Sequence, residues 1–175
     1  MADKLGQNEL NQALAALGER LRGRTEIVLG GAGALILTGD LQRATSDCDV
    51  LYSDPDIGRL QEDIRAVARN LSLPSGWLNG SVQSYLDILP PDYRTRLRSL
   101  PMPGGLQVFV LHRQDVIVMK LFAGRSLDLE DIAALAPTTE ELVFARTQLP
   151  RLRLIDAPRA VRTEGFLNEL HHQKS

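Results

Sequence analysis

Two carboxylates separated by one residue, Asp47 and Asp49, are the part of this sequence best suited to chemistry. Because alternate side chains of a β-strand lie on the same face, a strand through this segment would point both carboxylates the same way. Oxygen ligands of this kind suit one or two divalent cations. A glycine pair, Gly30-Gly31, follows an apolar segment earlier in the chain, and glycine lets the backbone approach a phosphate without interference from Cβ. Together these features predict a site for a metal-bound triphosphate.

Each feature also has a structural explanation. Asp47 and Asp49 could be the solvated end of a strand beside the turn at Ser53, and the glycine pair could be a helix-start turn. Arg43 precedes Thr45 by two residues and suits a surface charge, a phosphate contact or an ion pair with an aspartate. The metal interpretation is favoured because these residues occur together.

A third candidate is Lys120, whose neighbours three and four residues away along a helix are all apolar or small. An ammonium on such a stripe is costly unless it meets an anion or extends to water. The anion could be Asp128 or Asp131 on the next predicted helix, or a nucleotide phosphate. The two aspartates could also do no more than favour their helix N-terminus.

Arginines at positions 94, 96 and 98 alternate with uncharged residues, so on a strand they would form one basic face. This face is interpreted either as a solvated edge that prevents aggregation or as a contact surface for tRNA or an acidic protein.

Hydrophobic spacing and turn residues predict a mixture of helices and strands. Helices are predicted at Asn8–Arg22, Ala32–Thr38, from the turn at residues 53–56 to Asn70, at Gln114–Gly124, at Asp128–Leu135 with Asp128 as N-cap, at Glu140–Arg146 and at Ala160–Leu170. Strands are predicted at Thr25–Leu29 and Asp47–Tyr52 and in a hairpin of Thr95–Leu100 with Leu106–Leu111, whereas residues 77–80 are predicted as a loop with Trp77 in the core. The expected fold class is α/β (α+β), a mixed β-sheet flanked by helices.

Length and composition favour a globular protein, with 175 residues of which 43% are hydrophobic and 24% charged. No apolar run reaches the ~18 residues of a membrane span, and the first residues lack the apolar core of a signal peptide. The single cysteine, Cys48, is expected to face the core as a small hydrophobe. A cytoplasmic protein without a membrane partner is therefore expected, and a net charge of −2 argues against bulk nucleic-acid binding.

Five segments in a fixed order resemble the nucleotidyltransferase superfamily. They are the glycine pair, Arg-x-Thr-x-Asp-x-Asp, Trp-Leu-Asn, Lys-Leu-x-Ala-x-Arg and Asp-Leu-Glu-Asp-Ile, and they lie between Ile27 and Leu135. The chain is similar in this respect to minimal bacterial proteins akin to AbiEii-type toxins and to small nucleotidyltransferase antitoxins. The resemblance implies a polymerase β-like nucleotidyltransferase domain at residues 1–136 and a helical C-terminal extension at residues 137–175, packed on the same domain.

The resemblance also implies roles for individual residues. Asp47, Asp49 and Lys120 would be catalytic, and the two aspartates would hold Mg²⁺ or Mn²⁺. The residues implied to contact the nucleotide are Gly30, Gly31, Arg43, Thr45, Lys120, Asp128 and Asp131. The implied reaction transfers a nucleoside monophosphate from a nucleoside triphosphate to a hydroxyl of tRNA or of a protein. The implied setting is a toxin–antitoxin or phage-defence system, with a partner toxin or antitoxin protein.

One departure from the superfamily pattern concerns a third carboxylate. The strand expected to carry it, Leu106–Leu111, contains no acidic residue. This departure leaves open a catalytically weak or inactive module that keeps the fold for binding or as an antitoxin. A small-molecule nucleotidyltransferase of the aminoglycoside-modifying kind is the other alternative, and it would need an acidic pocket for a cationic substrate.

Overall fold

The structure is a computed structural model that describes residues 4–173. The described residues fall into two compact units. The first consists of the residues up to Ser84 together with Arg96–Leu111, and the second consists of Tyr85–Thr95 and the residues from His112 onward. The sequence-based division at residue 136 stays a prediction.

The first unit contains a five-stranded sheet. Its strands are β1 (Thr25–Gly30), β2 (Cys48–Asp54), β3 (Leu78–Asn79), β4 (Arg98–Leu100) and β5 (Leu106–Val110). Their order is β3-β2-β1-β5-β4, in which β1 pairs antiparallel with β2 and parallel with β5. Of the two outer strands, β3 pairs parallel with β2, and β4 pairs antiparallel with β5. The expected mixed sheet and its C-terminal hairpin are confirmed.

Three helices of the first unit accompany this sheet. They are α1 (Gln7–Arg20), α2 (Gly31–Thr38) and α3 (Gln61–Leu71), which a 3₁₀ turn at Ile57–Leu60 precedes. Helix α2 contacts β1 and β2, and α1 contacts β5 as well as the other two helices. The leucines that α1 repeats every three or four residues, Leu10, Leu14 and Leu17, are fully buried, as an amphipathic helix requires.

The segment predicted as a loop at residues 77–80 instead contributes the short strand β3. Trp77 is fully buried, as predicted, and its Nε1 donates a hydrogen bond of 3.2 Å to the Ile64 carbonyl. The Cys48 amide donates to the Trp77 carbonyl at 2.6 Å, which holds the segment along β2. The loop prediction was wrong because this strand is fixed by tertiary anchoring of one side chain and is too short to show a periodic pattern.

The basic strand face predicted for the arginines at 94, 96 and 98 is not formed. Residues Tyr93–Arg96 form a 3₁₀ turn, and only Arg98 lies on a strand. The Thr95 amide and hydroxyl both donate to the Asp92 carbonyl, at 2.9 and 2.8 Å, and so close the turn after two prolines. Side chains on a turn do not alternate between two faces, so the three arginines do not form one face of a strand.

The second unit is helical. Its helices are α4 (Arg113–Ala123), α5 (Ser126–Leu135), α6 (Thr139–Thr147), α7 (Leu149–Ile155) and α8 (Ala157–His172). Helix α4 contacts α5, α6 and α8, and every residue from Asp115 to Phe122 is buried. Three helices follow α5 where the sequence predicted two. Pro150 and Pro158 lie in the first turns of α7 and α8, where a proline starts a helix because no amide is needed there.

Asp128 does not have the N-cap position that was predicted. Helix α5 begins at Ser126, Arg125 is the N-cap, and Asp128 is the third helical residue. The Asp128 Oδ2 accepts a hydrogen bond of 3.3 Å from the Arg125 amide, so the side chain reaches back to satisfy the helix start from within the first turn.

In the described part of the chain, no helix has the length and apolar character required to cross a membrane.

Candidate functional site

The glycine pair lies where β1 ends and α2 begins. Gly30 is the N-cap of α2 and Gly31 is its first residue, with a φ of +60° that favours glycine. A Cβ added to Gly31 would lie 2.7 Å from the Asp49 Oδ2, closer than a side chain allows. No side chain caps the N-terminus of α2, and its first turn contains no acidic residue. Such a helix start presents amide groups and a positive dipole end to an anion.

Asp47 and Asp49 lie at the start of β2 and on one face of it. Asp47 immediately precedes the strand and Asp49 is its second residue, and both are half-buried, whereas Cys48 and Val50 between and after them are buried. Asp49 is the register partner of Gly30. We call Gly30 and Gly31 the glycine turn, and Asp47 and Asp49 the aspartate pair. The pairing of β1 with β2 therefore brings the glycine turn and the aspartate pair to the same end of these two strands.

Cys48 faces the interior from between the two aspartates, as predicted. Its side chain is fully buried, and a Cβ added to Gly33 of α2 would lie 2.6 Å from the Cys48 Sγ. Burial, reinforced by the negative charges of Asp49 and Asp47, raises the pKa of the Cys48 thiol. The neutral thiol is thus a packing group that brings α2 close to β2, and not a nucleophile.

Two neutral side chains contact the aspartate pair, and sequence reasoning assigned neither of them to the site. Asn79 of β3 is the register partner of Asp49, and its Nδ2 lies 3.4 Å from the Asp47 Oδ2. The Ser81 hydroxyl lies 3.3 Å from the Asp49 Oδ1. The Trp-Leu-Asn segment was noticed only as part of the resemblance, and its distance in sequence from Asp47 hid the contact.

Arg43 and Thr45 belong to the segment that leads into β2. Thr45 is buried, and its backbone exchanges two hydrogen bonds with Leu5, at 2.6 and 3.0 Å. The Arg43 guanidinium donates to the Ala44 carbonyl at 2.9 Å. These contacts fix the backbone just before Asp47. The roles of Arg43 and Thr45 in nucleotide binding stay predictions.

Lys120 lies in the second unit and binds both aspartates that were proposed as its partners. Its Nζ lies 3.1 Å from the Asp128 Oδ1 and 2.7 Å from the Asp131 Oδ2. The three residues are 5%, 2% and 2% exposed, so the ammonium does not extend to water. We call Lys120, Asp128 and Asp131 the buried ion cluster. A direct contact of these three residues with a nucleotide stays a prediction.

Arg125 adds a second positive charge to the buried ion cluster. Its Nε lies 2.7 Å from the Asp128 Oδ2, and its side chain is largely exposed. Burial opposes ionisation of Asp128, but the hydrogen bonds and charges of Arg125 and Lys120 outweigh it and lower the pKa of this carboxyl below 3.8. Two cations therefore balance two buried carboxylates.

The chemistry of the aspartate pair fits a divalent cation that brings further oxygen ligands. Two carboxylates on one face, beside the uncapped start of α2, offer the hard oxygen donors that Mg²⁺ and Mn²⁺ prefer. Strand β5 reads Leu-Gln-Val-Phe-Val and supplies no acid. Among residues 4–173, no three acidic, histidine or cysteine side chains form a group that could hold a metal by themselves.

The mixed sheet and the glycine–aspartate arrangement agree with the expectation of a nucleotidyltransferase-type protein. Residues 8–159 match a family model described as nucleotidyltransferase of unknown function (DUF6036). The match covers most of the chain, so the chain belongs to this family, and the suspected relationship to the nucleotidyltransferase superfamily is confirmed. Neither the curated proteins nor the solved structures contain a match.

Proposed function

We propose that this protein binds a nucleoside triphosphate with Mg²⁺ or Mn²⁺ at the glycine turn and the aspartate pair, and transfers the nucleoside monophosphate to a macromolecular hydroxyl. The observation that carries the proposal is the Gly30–Asp49 register, together with the 2.7 Å between the Asp49 Oδ2 and the position of an added Gly31 Cβ. A carboxylate this close to the start of α2 would place its cation beside the amides that hold the phosphates.

In this proposal the chain's own residues bind and orient. The amides at the start of α2 hold the phosphates, because a helix N-terminus attracts anions. Asp47 and Asp49 hold the cation from one side and leave its other positions to phosphate oxygens and water. When bound, the cation supplies neutralisation of the triphosphate charge.

The transfer step forms one bond and breaks another. The acceptor oxygen bonds to the α-phosphorus, the bond between the α-phosphorus and the bridging oxygen breaks, and pyrophosphate leaves with the electron pair. The hydroxyl proton passes to a base or to solvent. Alignment of the acceptor with the leaving group contributes most where no strong base is present.

The acceptor that we propose is a tRNA or a protein, within a toxin–antitoxin or phage-defence pair. This part of the proposal rests on the resemblance to AbiEii-type toxins and to small nucleotidyltransferase antitoxins. Incubating labelled nucleoside triphosphates with total tRNA and with the product of a neighbouring gene tests it, because label transferred to one of them identifies the acceptor class. Label found on neither would contradict this acceptor assignment.

A second candidate function is a binding or antitoxin module with little catalytic activity. The observation that favours it is that no three acidic, histidine or cysteine side chains of the described residues form a metal-holding group, and that β5 has no acid. Efficient activation of an acceptor hydroxyl needs a base or a second well-held cation. Nucleotide binding without measurable transfer to any acceptor would support this candidate over the first.

Calorimetric titration with ATP, CTP, GTP and UTP in the presence of Mg²⁺ tests nucleotide binding directly. The double variant Asp47→Asn/Asp49→Asn should lose it. Asp54→Asn is a matched control, because Asp54 is exposed at the opposite end of the same strand. If the wild type binds no nucleotide, or if the double variant binds as tightly, the site assignment is wrong.

A further inference from the structure

Ser81, the second residue after β3, is held beside the sheet by Asn79. The Asn79 Oδ1 accepts a hydrogen bond of 2.9 Å from the Ser81 amide, and the Asn79 Nδ2 donates to the Gly76 carbonyl at 3.3 Å. An asparagine that binds the amide two residues later closes a turn with its side chain. Because Asn79 is also the register partner of Asp49, this turn fixes the backbone of Ser81 close to the aspartate pair, although Ser81 itself is exposed.

The Ser81 hydroxyl and the glycine turn approach different oxygens of the same carboxylate. The Ser81 hydroxyl lies 3.3 Å from the Asp49 Oδ1, and the position of an added Gly31 Cβ lies 2.7 Å from the Asp49 Oδ2. The three atoms nearest to that Cβ position all belong to Asp49. The side chain of Asp49 therefore joins an exposed hydroxyl to the start of α2, where we propose that the phosphates bind.

An exposed hydroxyl at this place has what the proposed reaction requires of an acceptor. A serine hydroxyl becomes a better nucleophile when a neighbouring group accepts its hydrogen bond. Because Ser81 belongs to the chain that binds the triphosphate, its attack is intramolecular and does not require a second molecule to be captured and oriented. This advantage matters most where β5 contributes no acid that could serve as a base.

We propose that Ser81 is an internal acceptor, to which the protein transfers a nucleoside monophosphate from a bound nucleoside triphosphate. The inference rests on the proposed function, because it uses the same nucleotide site. In the step, the Ser81 Oγ bonds to the α-phosphorus, the bond from the α-phosphorus to the bridging oxygen breaks, and pyrophosphate leaves with the electron pair. The hydroxyl proton passes to solvent, to which Ser81 is exposed. The product is a phosphodiester between Ser81 and the nucleoside.

A second serine contacts the aspartate pair and provides an internal comparison. The Ser46 Oγ lies 3.4 Å from the Asp47 Oδ1, and Ser46 is also exposed. The atoms nearest to the Gly31 Cβ position belong to Asp49 and not to Asp47. The two serines are thus alike in exposure and in contact with a carboxylate, but only the carboxylate that Ser81 contacts adjoins the start of α2. We therefore expect modification of Ser81 and not of Ser46.

Mass spectrometry tests this modification on the full chain incubated with Mg²⁺ and each of ATP, CTP, GTP and UTP. We expect the intact chain to gain the mass of one nucleoside monophosphate group, and its peptides to locate that group on Ser81. Label at the α-phosphorus of the triphosphate should stay on the chain, whereas label at the γ-phosphorus should leave with pyrophosphate. Label retained from the γ-phosphorus would show phosphorylation and would overturn the proposal.

Three variants locate the acceptor. Ser81→Ala should lower the label on the chain by about tenfold or more, because the nucleophile is removed. Ser81→Thr retains a hydroxyl and should restore part of the label at the same position. Ser46→Ala removes the comparison hydroxyl and should be labelled as strongly as the wild type.

Nucleotide binding gives a second measurement that does not depend on turnover. Chain purified after self-modification should bind a nucleoside triphosphate at least about tenfold more weakly than unmodified chain in calorimetric titration, because a tethered group competes at high effective concentration for the place beside Asp49. Ser81→Ala that has been treated in the same way should show no such loss.

The outcomes distinguish this inference from the proposed function. A wild type that binds no nucleotide would contradict both. A wild type that binds nucleotide, or transfers it to tRNA or to another protein, while Ser81 stays unmodified would overturn only the role of Ser81. Equal labelling of Ser81→Ala and the wild type would overturn it as well, and so would label found on Ser46 in place of Ser81.

Discussion

The aspartate pair and the buried ion cluster use the same side chain in opposite surroundings. Asp47 and Asp49 are half-buried and contact the neutral groups of Asn79 and Ser81 at 3.3–3.4 Å. In the cluster, each aspartate is 2% exposed. One carboxylate oxygen of each lies close to the Lys120 Nζ, at 3.1 Å for Asp128 and 2.7 Å for Asp131. The carboxylates of the cluster have their charge neutralised in the protein interior, whereas those of the pair lie partly in solvent beside an amide and a hydroxyl.

This difference changes the interpretation of Lys120. A lysine that contacts phosphate should point its ammonium toward the ligand, but the Lys120 ammonium donates to two buried carboxylates. The geometry supports a structural ion cluster that fixes α5 against α4, and a nucleotide contact of Lys120 is now the weaker alternative.

The largest expected effect is the loss of stability on removing the cluster's ammonium. Lys120→Met leaves two buried carboxylates without the ammonium that they share, so we expect the free energy of unfolding to fall by about 3–5 kcal/mol. Urea denaturation measures it, with the exposed Lys4→Met as the matched control. If stability is unchanged or higher and nucleotide affinity falls, Lys120 is a phosphate contact and the comparison between the two sets fails.

The next effect tests whether the aspartate pair needs the close backbone of the glycine turn. Gly31→Ala forces an alanine to a φ of +60° and puts its Cβ 2.7 Å from the Asp49 Oδ2, so we expect a loss of about 1–3 kcal/mol in unfolding free energy. Nucleotide affinity should fall as well, because Asp49 must move.

Gly23→Ala is the control for this change, since a Cβ at that position meets nothing within 4 Å. Thermal unfolding and calorimetric titration of both variants give the comparison. Equal nucleotide affinity in Gly31→Ala and Gly23→Ala would show that the glycine turn has no part in binding.

A smaller effect distinguishes the two sets by pH. The pKa of Asp128 is lower in the folded protein than its ordinary value of 3.8, chiefly because Arg125 and Lys120 outweigh the opposing effect of burial. A lowered folded-state pKa contributes stability above the unfolded value, and this contribution is lost as the pH falls below about 3.8. Asp128→Asn should therefore flatten the acid side of a stability–pH curve measured in urea. An unchanged acid side would contradict the ion-pair role of Asp128.

The smallest expected effect is on stability when the aspartate pair itself is neutralised. Asp47→Asn/Asp49→Asn keeps the size of two half-buried side chains and their hydrogen-bonding capacity, so the unfolding free energy should change by no more than about 0.5 kcal/mol per position. The same variant should lose nucleotide binding. A drop of several kcal/mol in urea denaturation would mean that the pair is structural, as the cluster is.

Much of the fold could be predicted because its signals are local. The leucine spacing of α1, the apolar stripe of α3 and the turn residues between β4 and β5 each indicate an element within its own segment, and the structure contains all of them. The errors occurred where tertiary contacts decide the conformation. Strand β3 is held by the burial of Trp77, and residues 93–96 form a turn that the alternation of arginines had suggested as a strand.

The candidate site was predicted in part for the same reason. Asp47 and Asp49 share a face by the geometry of any strand, so their spacing in sequence is sufficient to place them together. Asn79 and Ser81 could not be found this way, since more than 30 residues separate them from the carboxylates that they contact. Contacts of that kind depend on which strands pair, and pairing is a property of the whole sheet.

The sequence by itself determined the residue types, the strand spacing of the aspartate pair and the glycines that allow close approach of the backbone. Only the tertiary structure decided which aspartates are buried against a lysine ammonium. The spacing of residues in the sequence does not indicate how deeply a side chain is buried. Burial decides whether a carboxylate must be neutralised by a neighbouring cation. Asp128 and Asp131 meet Lys120 because α4 and α5 pack together, whereas Asp47 and Asp49 meet an amide and a hydroxyl because β3 pairs with β2.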